Sequence, residues 1–209
     1  EKDKEKRDAF TAVLKLVFPS FTRWYVGFDG DQDYIAYKTA SGKAHRTDFL
    51  GDGVGSVFRI LAHLQFGEHP MVIDEPELSL QPEAQKKLRE ILAEESKNRQ
   101  IIISTHSPYF IDLSHYENGA KYIRINKHDD LASTVSQLKP FSNYKALFKG
   151  ANWQMPFLFD EVAKEIFFQD HILFVEGQHD VGLLKQYFKD EGIQPNFNFF
   201  GYGIRGFAN

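Results

Sequence analysis

Apolar residues recur at intervals of three and four near the start of the sequence. The positions that form this face are Phe10, Val13, Leu14, Val17 and Phe18. This spacing predicts an amphipathic helix over residues 1–18, which Pro19 ends. Residues 23–38 then carry aromatic and alternating runs around the turn-rich DGDQD, a pattern that predicts an antiparallel hairpin.

Two short runs of consecutive apolar residues occupy the middle of the chain, at 71–73 and 101–103. Helical patterns start at Val54, before the first run, and at Pro82, between the two runs. Continuous apolar runs are typical of parallel strands buried on both faces, whereas half-exposed strands alternate. The order strand, helix, strand therefore predicts parallel pairing inside an α/β layer structure.

A second strand–helix–strand pattern closes the chain. HILFVEG predicts a strand, and NFNFFGYG predicts a further strand. Between them a helix is predicted by the spacing of the apolar residues Val181, Leu184, Tyr187 and Phe188. Residues 122–126 predict one more strand, and the Phe-rich stretch that follows, with helical spacing near Phe159, Val162, Ala163 and Ile166, is interpreted as a connector.

Composition excludes several classes of protein. The 209 residues are 42% hydrophobic and 26% charged, as in ordinary globular proteins. No apolar run reaches the roughly 18–20 residues that cross a bilayer, and the first residues lack the apolar core of a signal peptide, so we expect a cytoplasmic protein without membrane contact. The sequence has no cysteine, which excludes disulfides and Cys-based zinc sites.

The net charge of −4 argues against a protein that coats nucleic acid through bulk positive charge. Any DNA contact must then come from a local basic patch. The candidates are Lys139, Lys145, Lys149 and Arg205. Scattered cations of this kind are more commonly solvated surface, so that alternative stays open.

Polar residues follow both central apolar runs directly. Asp74 and Glu75 come after the first, and Thr105 and His106 after the second. Reactive groups of parallel sheets collect at the carboxyl ends of the strands. There an aspartate can hold Mg²⁺ on a nucleotide, a glutamate can orient or deprotonate water, and a histidine can meet the terminal phosphate. Taken singly, these side chains also fit ordinary turn and loop positions.

Two more acids stand at the start of the last strand–helix–strand pattern. Glu176 ends the strand, and Asp180 follows four residues later at the start of the helix. This spacing lets two carboxylates converge on one cation. Equally, Asp180 can complement the helix dipole and Glu176 can be a solvated strand end.

These motifs resemble the ABC/SMC/RecF ATPases, and specifically the OLD (overcoming lysogenization defect) family of ATPase–nucleases. MVIDEPELSLQP resembles the Walker B segment and D-loop, ISTHSP the switch-histidine loop, and LGDGVGS the signature loop. The resemblance implies that Asp74 binds the Mg²⁺ of ATP and that Glu75 and His106 are catalytic. It also implies that a loop composed of Gly51, Asp52 and Gly53 contacts ATP held by the opposite subunit of a homodimer or higher homo-oligomer.

The end of the chain resembles the Toprim domains of OLD nucleases. FVEGQHD is similar to their first motif, and YGIRGFAN to the glycine-containing segment after their second strand. The resemblance implies that Glu176 is catalytic and binds metal, and that Asp180 joins it in holding Mg²⁺ or Mn²⁺. The D-x-D motif of the family does not occur in its expected place, so we expect this stretch alone to be unable to cut DNA.

The sequence departs from the family pattern in three places. Gly51 stands where many signature loops have serine, Gln81 stands where OLD-like sequences have histidine, and no G-x-x-x-x-G-K-[ST] motif occurs. We therefore expect a fragment with an α/β fold: the C-terminal half of an ABC-type ATPase head and the beginning of a Rossmann-like Toprim domain. The expected parts are the end of a helical insertion (1–20), the ATPase lobe (21–135), a connector (136–169) and the start of the Toprim domain (170–209).

The function expected from this resemblance is that of an ATP-dependent or ATP-regulated DNA endonuclease in bacterial antiphage defence. The expected partners are DNA and a second defence protein. One alternative is a nucleotide-gated clamp or scaffold, including one that sequesters a toxic partner, without nuclease activity. A RecF-like repair ATPase is another, which the Glu176-Gly177 pair disfavours.

Overall fold

The computed structural model describes residues 2–46, 53–112, 114–115, 118–127, 133–138 and 164–201. The chain divides into two compact units, Glu1–Phe110 and Ile111–Asn209. None of the helices in the described ranges is long and apolar enough to cross a membrane.

The described residues of the first unit form three helices and two sheets. In chain order its elements are α1 (Lys2–Val17), β1 (Phe21–Phe28), β2 (Asp33–Thr39), β3 (Ala44–Arg46), α2 (Gly53–Phe66), β4 (Met71–Asp74), α3 (Pro82–Glu95), β5 (Ile101–Ser104) and a 3₁₀ turn (Pro108–Phe110). The predicted N-terminal helix and hairpin are confirmed: α1 stops two residues before Pro19, and β1 pairs antiparallel with β2 around the DGDQD turn.

The core of this unit forms where the apolar faces of the helices meet. Leu14 of α1, Val57 of α2 and Leu88 of α3 are fully buried within one cluster. Phe10 also contacts Trp24 and Phe58 edge-on, with ring centroids 5.7 and 4.8 Å away. Burying side chains of this size contributes about 1.5–3 kcal/mol each, so the helical spacing of the sequence is explained by this shared core.

The two central strands pair in parallel, as their continuous apolar runs predicted. Met71 lies beside Ile101 and Ile73 beside Ile103, and all four pack on the core. The expectation that both strands are buried on both faces was wrong for the described residues, because Val72 is 73% exposed and Ile102 is 51% exposed. The helices cover one face of this sheet, and the two exposed side chains point to the other.

The second unit has two strand pairs, of which the sequence predicted the strand–helix–strand pair at its end and only the first strand of the other pair. Its elements are β6 (Ile123–Lys127), β7 (Ser133–Gln137), a 3₁₀ turn (Glu165–Phe168), β8 (Ile172–Val175), α4 (Gln178–Asp190) and β9 (Asn198–Gly201). The first pair is an antiparallel hairpin, and β8 pairs in parallel with β9 after the crossover through α4. Arg124 of the hairpin bonds the carbonyl of Gln169 and the carboxylate of Asp170, both at 2.6 Å, next to the start of β8.

Candidate active site

Asp74 and the residues after it lie at the carboxyl edge of the parallel sheet. Asp74 pairs in register with Ser104, and the ladder continues one step further because the Glu75 N–H donates to the Ser104 carbonyl at 2.8 Å. The Asp74 side chain is exposed. The two polar clusters that are 30 residues apart in sequence therefore meet at one edge, as parallel pairing requires.

Glu75 adopts the left-handed backbone conformation, with φ of 46°. For a residue with a Cβ this conformation costs about 1–2 kcal/mol relative to the right-handed region. Such strain concentrates at functional sites, where the surrounding structure holds it in place. Here the hydrogen bond to Ser104 fixes the backbone while the chain turns sharply out of β4.

The carboxylate of Glu75 and the imidazole of His106 face each other. The distance from Glu75 Oε1 to His106 Nε2 is 3.5 Å, and the two side chains are 38% and 81% exposed. The sequence predicted that both reach the same edge, and the structure brings them within ion-pair distance. Their accessibility leaves both groups open to a phosphate-bearing ligand and to water.

Glu77 also belongs to the site, although its place in the sequence is that of an ordinary turn acid. Its Oε1 accepts a hydrogen bond of 2.7 Å from the backbone N–H of His106. Its Oε2 is shielded from solvent and has no hydrogen-bond partner among the described residues. Glu77 thus ties the loop after β4 to the backbone that carries the histidine, and nothing in the spacing of the motif signals this contact.

Buried hydrogen bonds through α3 also connect the loop after β4 with the loop after β5. Gln85 of α3 donates to the Leu80 carbonyl at 2.9 Å, and the Ser107 hydroxyl donates to the Gln85 side-chain oxygen. Gln85 and Ser107 are both buried. The sequence reasoning missed this pair, although a glutamine one position after Ala84 on the apolar face of α3 was a signal that a buried polar group needs a partner.

The first residue of α2 packs directly against the loop after β4. A Cβ at Gly53 would lie 2.6 Å from the backbone oxygen of Ser79, so only glycine fits there. Gly53 thus lies against the chain's own backbone, and its contact with ATP stays a prediction. Gly51 and Asp52 lie outside the described residues.

Glu176 and Asp180 flank the junction of β8 and α4. Glu176 is exposed, and one oxygen of Asp180 accepts the Gly177 N–H at 3.0 Å, a bond that caps the helix start. Within the described ranges the two acids belong to no group of three ligand side chains clustered within 4.8 Å. Their metal-binding role therefore stays a prediction. Lys139, Lys145, Lys149, Arg205 and the YGIRGFAN segment from Tyr202 onward lie outside the described residues.

The comparisons with known proteins agree in sequence and in fold. Residues 38–112 match the family described as "AAA domain, putative AbiEii toxin, Type IV TA system". The chain is 31% identical over 157 residues to the OLD nuclease of Thermus scotoductus, and this alignment covers 71% of this chain and 29% of that protein. It is 30% identical over 159 residues to endonuclease GajA of Bacillus cereus, covering 64% of this chain and 22% of that protein.

A third relative is the Old nuclease of Escherichia phage P2, 29% identical over 119 residues, which covers 56% of this chain and 20% of that protein. The chain spans less than a third of the length of each of these relatives.

Solved structures of similar fold are SMC ATPase heads. The Smc head domain of Pyrococcus furiosus, solved with the C-terminal domain of ScpA, superposes with a TM-score of 0.54 at 20% identity, covering 70% of this chain and 37% of that one. An SMC ATPase, solved in a study of ATP-driven dimerization and DNA-stimulated activation, superposes with a TM-score of 0.51 at 18% identity. The match covers 70% of this chain and 91% of that one. The resemblance of FVEGQHD and YGIRGFAN to Toprim domains stays a prediction. The resemblance of the earlier motifs to the ATPases of the OLD family is confirmed: this chain is a relative of the OLD nucleases, with the fold of an ABC/SMC-type ATPase head.

Proposed function

We propose that the first unit contributes the hydrolytic half of an ATPase site. The observation that carries this proposal is the meeting of Glu75 and His106, 3.5 Å apart, beyond the carboxyl ends of two parallel strands. An exposed aspartate, Asp74, stands next to them. This donor set fits a magnesium nucleotide, since carboxylate oxygens are preferred ligands of Mg²⁺.

In this proposal Asp74 would hold Mg²⁺, which when bound offsets the charge of the phosphates. Glu75 accepts a proton from the attacking water as the water oxygen bonds to the γ-phosphorus. The bond from that phosphorus to the bridging oxygen breaks, which releases ADP and phosphate. His106 donates a hydrogen bond to the γ-phosphate oxygens, and the Gly51–Gly53 loop contacts ATP on a second subunit of a homodimer or larger assembly.

For the second unit we propose a metal-dependent DNA endonuclease site that includes Glu176 and Asp180, completed by residues outside the described ranges. Two relatives are named OLD or Old nuclease and one endonuclease GajA, which supports DNA as the substrate. Mg²⁺ or Mn²⁺ would supply a Lewis acid and an activated water. The proposed setting is antiphage defence, with ATP turnover controlling cleavage and a second defence protein as a regulator.

The second candidate function is a nucleotide-gated clamp or scaffold without nuclease activity. The bond between Asp180 and Gly177 favours it, because this carboxylate is already engaged in capping α4. A scaffold and a nuclease share the ATPase site, so only the second unit separates them.

The ATPase proposal is tested by replacing His106 with alanine in the full-length protein. We expect the kcat for ATP hydrolysis to fall about 100-fold, because removing one hydrogen-bond donor to the charge that develops in the transition state costs about 10²–10³ in kcat. His69→Ala is the matched control, since His69 is also exposed but lies before β4, at the other end of the strand. Equal activity of His106→Ala and the control, measured by phosphate release, contradicts the proposal.

The nuclease proposal is tested by plasmid nicking with Mg²⁺ or Mn²⁺. We expect nicking by the wild-type protein and its loss in Glu176→Ala, because the ligand and base would be missing. Glu191→Ala serves as the control, since Glu191 is an exposed acid at the opposite end of α4. Absence of nicking by the wild type with either metal, while ATP is still hydrolysed, favours the scaffold.

A further inference from the structure

A basic groove lies between α1 and β1, within the first unit and apart from the ATPase residues. It encloses about 650 Å³ and is lined from α1 by Lys4, Arg7, Asp8 and Lys15 and from β1 by Arg23 and Trp24. A neighbouring depression shares Arg7, Arg23 and Trp24 with it and adds Lys38 of β2. The two together present five cations and one acid, in a chain whose net charge is −4.

These cations are not neutralised by the residues around them. None of the five forms an ion pair with another residue in the described part of the chain. Other cations of the same unit do so: Arg46 is 3.0 Å from Asp29, and Lys97 is 2.6 Å from Glu94. The groove therefore brings together five cations that have no acidic partner among the described residues.

Arg23 and Lys38 sit directly opposite each other in the β1–β2 ladder. Cross-strand neighbours share one face of a sheet, and like charges in that position are destabilising. A bound anion would remove this repulsion. Arg7 is held in place beside them, since it donates to the Trp24 carbonyl at 3.1 Å and lies 5.2 Å above the Trp24 ring.

We propose that this groove binds the phosphate backbone of double-stranded DNA. The cations of α1 run from Lys4 to Lys15, a distance of about 16 Å along the helix. A line of charge of this length matches a row of phosphates over about five base pairs better than it matches one compact anion. A basic stripe along a helix is also the usual electrostatic footprint of a nucleic-acid contact. The groove belongs to the first unit, and its contact with DNA does not require ATP hydrolysis.

The experiment uses the full-length protein in a Glu176→Ala background, so that DNA stays intact. Binding of a fluorescein-labelled duplex of about 30 base pairs is measured by anisotropy at several salt concentrations, without nucleotide. The test variant is Lys4→Ala/Lys15→Ala/Arg23→Ala. The control variant, Lys43→Ala/Lys87→Ala/Lys97→Ala, removes the same charge from exposed positions outside the groove. Melting curves verify that both variants fold.

We expect the Kd of the groove variant to rise about tenfold or more and the salt slope of log K to fall by about 3, one unit for each phosphate contact removed. The control should match the parent protein. Equal losses in the two variants overturn the proposal, because they show a nonspecific charge effect.

A second measurement requires no substitution. On adding the duplex, amide hydrogen exchange should slow in peptides covering residues 2–17 and 21–39. Absence of protection in these peptides overturns the proposal. Protection that is already present without DNA also overturns it, because another part of the protein then fills the groove. Poly-glutamate that protects these peptides as strongly as the duplex also overturns it, in favour of an acidic protein partner. None of these outcomes depends on whether the protein hydrolyses ATP.

Discussion

At the scale of single residues, the candidate site depends on how the His106 backbone is held. Its N–H donates to Oε1 of Glu77 at 2.7 Å, and its imidazole lies 3.5 Å from the Glu75 carboxylate. A hydrogen bond to a charged acceptor stabilises by about 1.5–3 kcal/mol, enough to select one loop conformation among several. Glu77 is in this view a positioning residue that aims the imidazole without touching the substrate.

Replacing Glu77 tests this role. Glu77→Ala removes the acceptor, and we expect kcat for ATP to fall at least about tenfold with KM little changed, because a small misplacement of a reacting group lowers the rate more than binding. Glu77→Gln keeps an acceptor oxygen and should retain most of the turnover. Hydrogen exchange at residues 105–107 should be faster in the alanine variant alone. An identical rate loss in both variants would show that the charge matters and not the hydrogen bond.

At the scale of elements, periodicity and parallel pairing were readable from the sequence. Phe10 and Leu14 share the buried face of α1, and Asp74 and His106 reach one sheet edge because parallel strands end together. The polar contacts between loops were not readable. Glu77 reaches across 29 residues and Ser107 across 22, and such distances depend on loop geometry, including the left-handed Glu75, that no local pattern encodes.

The helix α3 connects the two loops through Gln85, and this predicts a stability effect. Gln85→Ala leaves the Leu80 carbonyl and the Ser107 hydroxyl without that partner, so the free energy of unfolding should fall by about 1–3 kcal/mol. Gln81→Ala is the matched control, because Gln81 is exposed and makes no side-chain cap; its effect should stay within about 0.5 kcal/mol. Urea denaturation measures both, and equal effects would refute the structural role of Gln85.

At the scale of the whole molecule, the chain spans less than a third of the length of its curated relatives. The exposed Val72 and Ile102 show that one face of the central sheet is not covered within the described residues. The continuous apolar runs predicted burial on both faces because hydrophobicity alone does not tell which neighbour covers a strand. The relation to OLD nucleases was readable from motifs, whereas the basic groove emerges only when α1 and β1 are packed together.

The most direct test of the central claim is ATP binding and turnover by Glu75→Gln in the full-length protein. Glutamine is nearly isosteric with glutamate but cannot accept the proton of water, so hydrolysis should stop while ATP with Mg²⁺ still binds at wild-type affinity. Phosphate release measures the hydrolysis rate, and equilibrium filter binding of radiolabelled ATP measures the affinity. Unchanged hydrolysis in Glu75→Gln would contradict the assignment of this sheet edge as the catalytic site.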